Sequence, residues 1–340
     1  MRVVVRTKAK VRAIASPSLT SPVSVARKHT RVVFIARFTQ CYTVLVLFSP
    51  SLIVHPEQDK KYRSAKSRTK PIPLPSIHDD AEVDLTVVIP AYNETKRMPE
   101  MMKSTIAHLK SSSCSARTHE ILIVDDGSAD GTSALALDLA AKNPKVDIRV
   151  VTLAKNLGKG GAVRHGMLHG RGRRLLMVDA DGASRFEDLE LLWKAMDGLS
   201  SDDKKGSVAV GSRAHLVKTE AVVKRSLLRN ILMYGLHTIL RIVGVGHIRD
   251  TQCGFKLFSR RAAQLIFPYQ HLATWIFDVE VLLLAKQLRI PVAEVPIQWH
   301  EVSGSKLNVM VDSLQMLRDL LILRANVMLG RWKAPPQINR

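Results

Sequence analysis

The stretch LLMVDADGA, Leu175 to Ala183, is an apolar run that ends in two aspartates one residue apart. A run this short suits a buried parallel strand, whose last residues reach the carboxyl edge of the sheet, where open α/β folds bind ligands. Side chains alternate along extended backbone, so Asp179 and Asp181 project to the same side. Two carboxylates so placed can grip one divalent cation, Mg²⁺ or Mn²⁺, and a metal-bridged diphosphate is the natural third partner. Asp-x-Asp is common on its own, so its neighbours decide its meaning.

Those neighbours are other strand ends. LTVVIPAYNE (Leu85 to Glu94) reads as a buried strand stopped by Pro90, with a helix from about Pro99 to Leu109 behind it. A second strand, Glu120 to Val124, ends in Asp125 and Asp126, and a turn through Gly127, Ser128, Asp130 and Gly131 opens a helix reaching Ala141. A third strand, Ile148 to Leu153, leads to Lys155 and Asn156 and then to Gly158, Gly160 and Gly161, which open another helix. This rhythm predicts an α/β fold with a doubly wound, mostly parallel sheet. Four successive strands then aim polar residues at one crevice: Tyr92, Asn93 and Glu94; Asp125 and Asp126; Lys155 and Asn156; Asp179 and Asp181. Ser128, Asp130 and Asn143 read as capping or turn residues. Lys159 can offer charge to a phosphate. Its GKGG turn has neither the P-loop nor the G-x-G-x-x-G spacing, which argues against a kinase or dinucleotide site.

The chain has 340 residues and a net charge of +21. Residues 1–80 contribute 15 − 4 = +11 and residues 81–340 contribute 36 − 26 = +10. The globular part is thus moderately basic, which suits phosphate-bearing ligands or an anionic membrane face, and no nucleic-acid module accompanies the charge. Cys41, Cys114 and Cys253 are isolated and form neither a disulfide framework nor a zinc spacing. Residues 1–37 form a basic extension with nine Lys or Arg and no acid, and 38–54 is uncharged. The uncharged run reads as a membrane anchor at the short limit of the roughly 17 to 25 residues needed. Residues 55–84, with Pro71, Pro73 and Pro75, read as a polar linker, 85–332 as the globular domain and 333–340 as a tail. Two further apolar stretches, 227–245 and 309–332, suit an interfacial position; the second places Met310, Leu314, Leu317, Leu320 and Leu321 at helical spacing.

The blocks VVIPAYNE, VDDGSADGT, LAKNLGKGGAVRHGM, VDADGA and VAVGSR together resemble a family 2 glycosyltransferase of the GT-A fold. The blocks RDTQCGFKLF, WIFDVEVL and WHEVSGSKL narrow the resemblance to members that pass glucose from UDP-glucose to dolichyl phosphate. The resemblance covers about Leu85 to Trp332. It implies an endoplasmic reticulum membrane enzyme with its catalytic domain on the cytosolic face, making the lipid-linked glucose used in N-glycan precursor assembly. A mannosyl enzyme using GDP-mannose would share the fold, the metal pair and the acceptor, and an idle nucleotide-binding or scaffolding module is the alternative from another class.

Under the resemblance, Pro90, Tyr92 and Glu94 with Asp125 or Asp126 hold the uridine half, where a carboxylate can accept from the uracil ring N–H. Asp181 is catalytic and, with Asp179, binds the metal that polarises the leaving phosphate. The acceptor phosphate has a second pKa of about 6 and is already largely the dianion near neutrality, so it needs orientation more than a strong base. Arg213, Arg225 and Arg229 are the candidates for that work. Asp250 joins the substrate-binding set, Asp278 faces the acceptor to orient glucose hydroxyls or act as base, and Lys306 closes on the diphosphate.

Overall fold

The computed structural model describes residues 39–40, 43–44, 47–114, 116–199, 206–216, 248–302, 304 and 309–335. Two compact units are present, residues 1–48 and 49–340. In the first, the described residues 39–40, 43–44 and 47–48 are helical. Ser49 to Pro56, which open the second unit, are non-helical, so the uncharged run is not helical throughout. Among the described residues no helix is long and apolar enough to cross a membrane.

The second unit is built on one nine-stranded sheet: β1 Lys61–Ser64, β2 Ile72–Pro73, β3 Val83–Ala91, β4 His119–Asp125, β5 Asp147–Thr152, β6 Gly172–Val178, β7 Val208–Ser212, β8 Phe255–Ser259 and β9 Val292–Pro296. Their order across the sheet is β2-β1-β5-β4-β3-β6-β8-β7-β9. The centre, β5-β4-β3-β6, is parallel, as expected for strands that are apolar on both faces. β8 runs antiparallel between β6 and β7, and β1 is antiparallel to β5, so these two strands oppose the rest. Pro90 does not stop β3. The ladder to β6 ends at Val88, and Pro90, which has no N–H to donate, falls past it.

The stretch expected to be a linker is instead part of the sheet. Residues 61–64 pair with β5, and 72–73 pair in turn with β1. Short strands at the margin of a sheet are half-exposed and tolerate polar residues and proline, so KYRS and, at the edge itself, IP carry no apolar run to announce them.

The helices are α1 Met98–Leu109, α2 Thr132–Lys142, α3 Lys159–His169, α4 Leu189–Leu199, α5 Arg260–Ile266, α6 Phe277–Gln287 and α7 Val309–Met328. Leu85, Val87 and Ile89 of β3, Ile121 and Ile123 of β4, and Phe255 and Leu257 of β8 bury against α1, α2 and α4 on one face. Leu122 and Val124 pack with Ala162 of α3 on the other. With both faces covered, the only place for polar residues at strand ends is the carboxyl edge, where the crevice lies.

Candidate active site

β6 carries Asp179 to the sheet edge, and the turn before β8 meets it there: the Asp179 N–H donates to Gly254 O at 3.1 Å. A Cβ at position 254 would lie 1.9 Å from Asp179 Oδ2, so only glycine fits beside this carboxylate. Asp181 follows in a turn closed by Gly182 at φ +76°, and its Oδ1 accepts the Ala183 N–H at 3.0 Å. Arg97 lies 3.8 Å from Asp181 Oδ2. Burial, and then the Asp179 charge, push the Asp181 carboxyl above the usual carboxylate range. The two aspartates predicted to act together are therefore neighbours in one partly exposed pocket of charge.

Lys159 is the cation built into this pocket. Its Nζ stands 2.6 Å from Asp179 Oδ1 and donates to Oδ2 at 2.8 Å, with the Trp275 ring 5.9 Å away. Burial works against its charge, but Asp179 and then Asp278 outweigh that and the ammonium is held above its ordinary value. The glycine turn makes this approach possible. Gly158 has φ +90°, and a Cβ there would sit 2.6 Å from Ala273 O; one at Gly160 would sit 2.6 Å from Phe277 Cβ. Asp126 fixes the same turn by accepting the N–H groups of Leu157 at 2.7 Å and Gly158 at 2.9 Å.

The predicted uridine residues separate into a rim and a scaffold. Tyr92 is exposed at the mouth, and Pro90 is buried in β3. Glu94 is buried and held in a two-pronged pair by Arg97, at 2.8 and 2.5 Å. Asp125 Oδ1 accepts the Ser128 N–H at 3.0 Å and its Oδ2 accepts from the Ser133 hydroxyl. Asp125 and Asp126 are 1% and 3% exposed, so both carboxylates shape the loops around the crevice and offer it little open face. Asp130 and Ser128 are turn residues as expected: Asp130 Oδ1 accepts the Thr132 N–H and Ser128 Oγ the Asn93 N–H.

On the far side, Arg213 directly follows β7 and is gripped by Asp250 through Nε at 2.7 Å and Nη2 at 2.9 Å, over the Trp299 ring at 5.4 Å. Burial opposes the charge on each, but the pair wins, raising the guanidinium and lowering the carboxyl. Asp250 is thus the anchor of Arg213. Asp278 is 2% exposed and its Oδ1 accepts from Lys256 Nζ at 2.6 Å. Burial raises the Asp278 carboxyl, opposed by Lys256 and Lys159. The first turn of α6 points inward because its neighbours Phe277, Val279 and Val281 are buried too. His300 is exposed, its N–H bonded to Ala183 O. Arg225, Arg229, Lys306 and the 227–245 stretch lie outside the described residues.

A chain with these strand-end residues has relatives. A family model described as glycosyl transferase family 2 matches residues 86–267. The chain belongs to that family. Among curated proteins, this glycosyltransferase is 45% identical over 312 residues to the dolichyl-phosphate β-glucosyltransferase of Saccharomyces cerevisiae, a match covering 88% of this chain and 93% of that protein. It is 44% identical over 286 residues to the human protein of the same name, covering 84% and 87%. Among solved structures, glucosyl-3-phosphoglycerate synthase from Mycobacterium tuberculosis in complex with UDP matches at a TM-score of 0.50 and 18% identity, covering 72% of this chain and 81% of that one. At that identity the likeness shows the GT-A fold.

Three residues packed against the expected site residues escape sequence reasoning: Arg97, Gly254 and Lys256. Lys256 left one signal, a lone cation inside the strand-like FKLF.

Proposed function

We propose that this glycosyltransferase moves glucose from UDP-glucose to dolichyl phosphate with inversion, giving dolichyl β-D-glucosyl phosphate. The observation that carries the reading is the 45% identity to the Saccharomyces cerevisiae dolichyl-phosphate β-glucosyltransferase across 93% of that protein's length.

The carboxylates fit a divalent cation. Asp179 Oδ1 is buried and, though 2.6 Å from Lys159 Nζ, takes no hydrogen bond, while the Asp181 carboxyl is raised by burial and by Asp179. Because Arg97 is also held by Glu94, the three carboxylates Glu94, Asp179 and Asp181 here outnumber the two cations Arg97 and Lys159. Asp179 and Asp181 would hold Mg²⁺ or Mn²⁺, which when bound stabilises charge on the departing UDP. Lys159 would add a fixed cation against the diphosphate, with Tyr92 at the rim toward the base.

The acceptor phosphate arrives largely as the dianion, its second pKa being about 6, and needs no strong base. The commitment of Asp278 to Lys256 agrees with that. Arg213 would orient the phosphate, since Asp250 fixes its Nε and Nη2 and leaves Nη1 without a hydrogen-bond partner among the described residues. A phosphate oxygen then attacks the anomeric carbon as the bond to UDP breaks, and the α configuration becomes β. Arg225, Arg229 and Lys306 remain proposed phosphate contacts.

Under this reading the enzyme works at the endoplasmic reticulum membrane, its catalytic domain on the cytosolic face. The outer stripe of α7, Leu314, Leu317, Leu321 and Met328, is exposed, with Arg318 beside it, and suits an interfacial helix. The test is the chemistry of the product. Label from UDP-glucose should enter a lipid whose sugar is β-linked to phosphate, and a chelator should stop it. An α-linked product, or label confined to water-soluble sugar, would overturn the proposal.

A further inference from the structure

Lys256 sits in the middle strand of three, its backbone opposite Met177 of β6 and Val210 of β7, and it is completely buried. Its ammonium donates to Cys253 O and to Asp278 Oδ1, both at 2.6 Å. A buried ion pair gives little stability over a well-packed apolar pair of similar volume, because desolvation offsets the attraction. Stability alone is therefore a weak reason for a lysine here. The surroundings supply a better one. Lys159 pairs with Asp179, and Asp278 stands on the turn packed against it: a Cβ at Gly160, next to Lys159, would lie 2.6 Å from Phe277 Cβ, next to Asp278. Asp278 is 3% exposed at its side chain, against 28% for Asp179. Without Lys256, the carboxylate that water cannot reach has the stronger claim on Lys159.

We propose that Lys256 is a positioning residue: by occupying Asp278 it leaves Lys159 to Asp179 and to the donor diphosphate at the mouth of the crevice. This rests on the nucleotide-sugar reading above. Removing Lys256 turns Lys159 inward, and the cost falls on nucleotide binding. Removing Asp278 as well abolishes the competitor, so the second substitution repairs the first.

The experiment is UDP titration, in the presence of Mg²⁺, of the full chain and of Lys256→Met, Asp278→Asn and the double variant, with thermal unfolding of each. Losing one charge-assisted contact predicts a UDP affinity at least about tenfold weaker in Lys256→Met. The double variant should return to within about threefold of wild type, a coupling that separate structural damage does not produce. A double variant as weak as Lys256→Met, or a Lys256→Met protein that melts early yet binds UDP normally when folded, overturns the proposal. An Asp278→Asn variant that cannot bind UDP overturns it also, since Asp278 would then serve the nucleotide itself. Wild-type transfer, run alongside, judges the glucosyl reading separately: UDP binding without transfer defeats that reading and leaves the variant comparison decisive. A wild-type chain that does not bind UDP defeats both.

Discussion

Asp181 is the residue on which the proposed chemistry concentrates. Asp181→Asn keeps the shape and the bond to Ala183 but removes the charge, and kcat should fall by at least about a hundredfold while the melting temperature holds or rises. Activity within a few-fold of wild type would remove its metal role. Asp126 gives a second test, through pH. Burial lifts its carboxyl from 3.8 to about 6, against two N–H donors that pull it down. Below pH 4 both folded and unfolded chains carry the proton. Between pH 4 and 6 the unfolded chain loses it first, so stability falls as pH rises, by on the order of 3 kcal/mol, and stays lower above pH 6. Asp126→Asn cannot titrate, so the stability difference between variant and wild type should drift in the variant's favour across that window. A flat difference in denaturant unfolding from pH 4 to 6 would contradict this.

Among the elements, α3 is the one whose placement the site depends on most. Its first turn can approach α6 only because Gly160 has no side chain: a Cβ would meet Phe277 Cβ at 2.6 Å and Leu272 O at 2.8 Å. Gly160→Ala should push Lys159 away from Asp179 and raise the UDP-glucose KM by about tenfold or more, since small misplacements are costly at a reacting centre. An unchanged KM would mean that the turn adapts. The parallel centre of the sheet was legible in the sequence, because strands buried on both faces are written as apolar runs ending in polar residues. β1 and β2 were not, since short, half-exposed strands at the sheet's margin need no such run. The surroundings of Asp278 were not legible either, since its partner Lys256 comes from β8. Arg97 was invisible for a similar reason: its partner Glu94 is three residues away, and its nearness to Asp181 is set by how α1 meets the sheet edge.

At the scale of the whole molecule, the proposed function asks that the donor crevice and a lipid surface be served together. α7 is tied to the site side by Asp319, whose Oδ2 accepts from Thr274 Oγ1 at 2.5 Å, one residue from Trp275. Its outer stripe leaves Leu314 64% and Leu321 58% exposed. Replacing both by Asp should raise the KM for dolichyl phosphate in vesicles by at least about tenfold, because each buried leucine contributes about 1.5–3 kcal/mol. The KM for UDP-glucose should not move, and a matching rise in both would point to damage in the crevice instead of lost contact with the membrane.

The central claim is the choice of sugar donor for a lipid phosphate. Membranes carrying this chain, given dolichyl phosphate and labelled UDP-glucose or GDP-mannose side by side, should build lipid-linked glucose from the first in a cation-dependent reaction and nothing from the second. Equal or greater transfer from GDP-mannose would contradict the account.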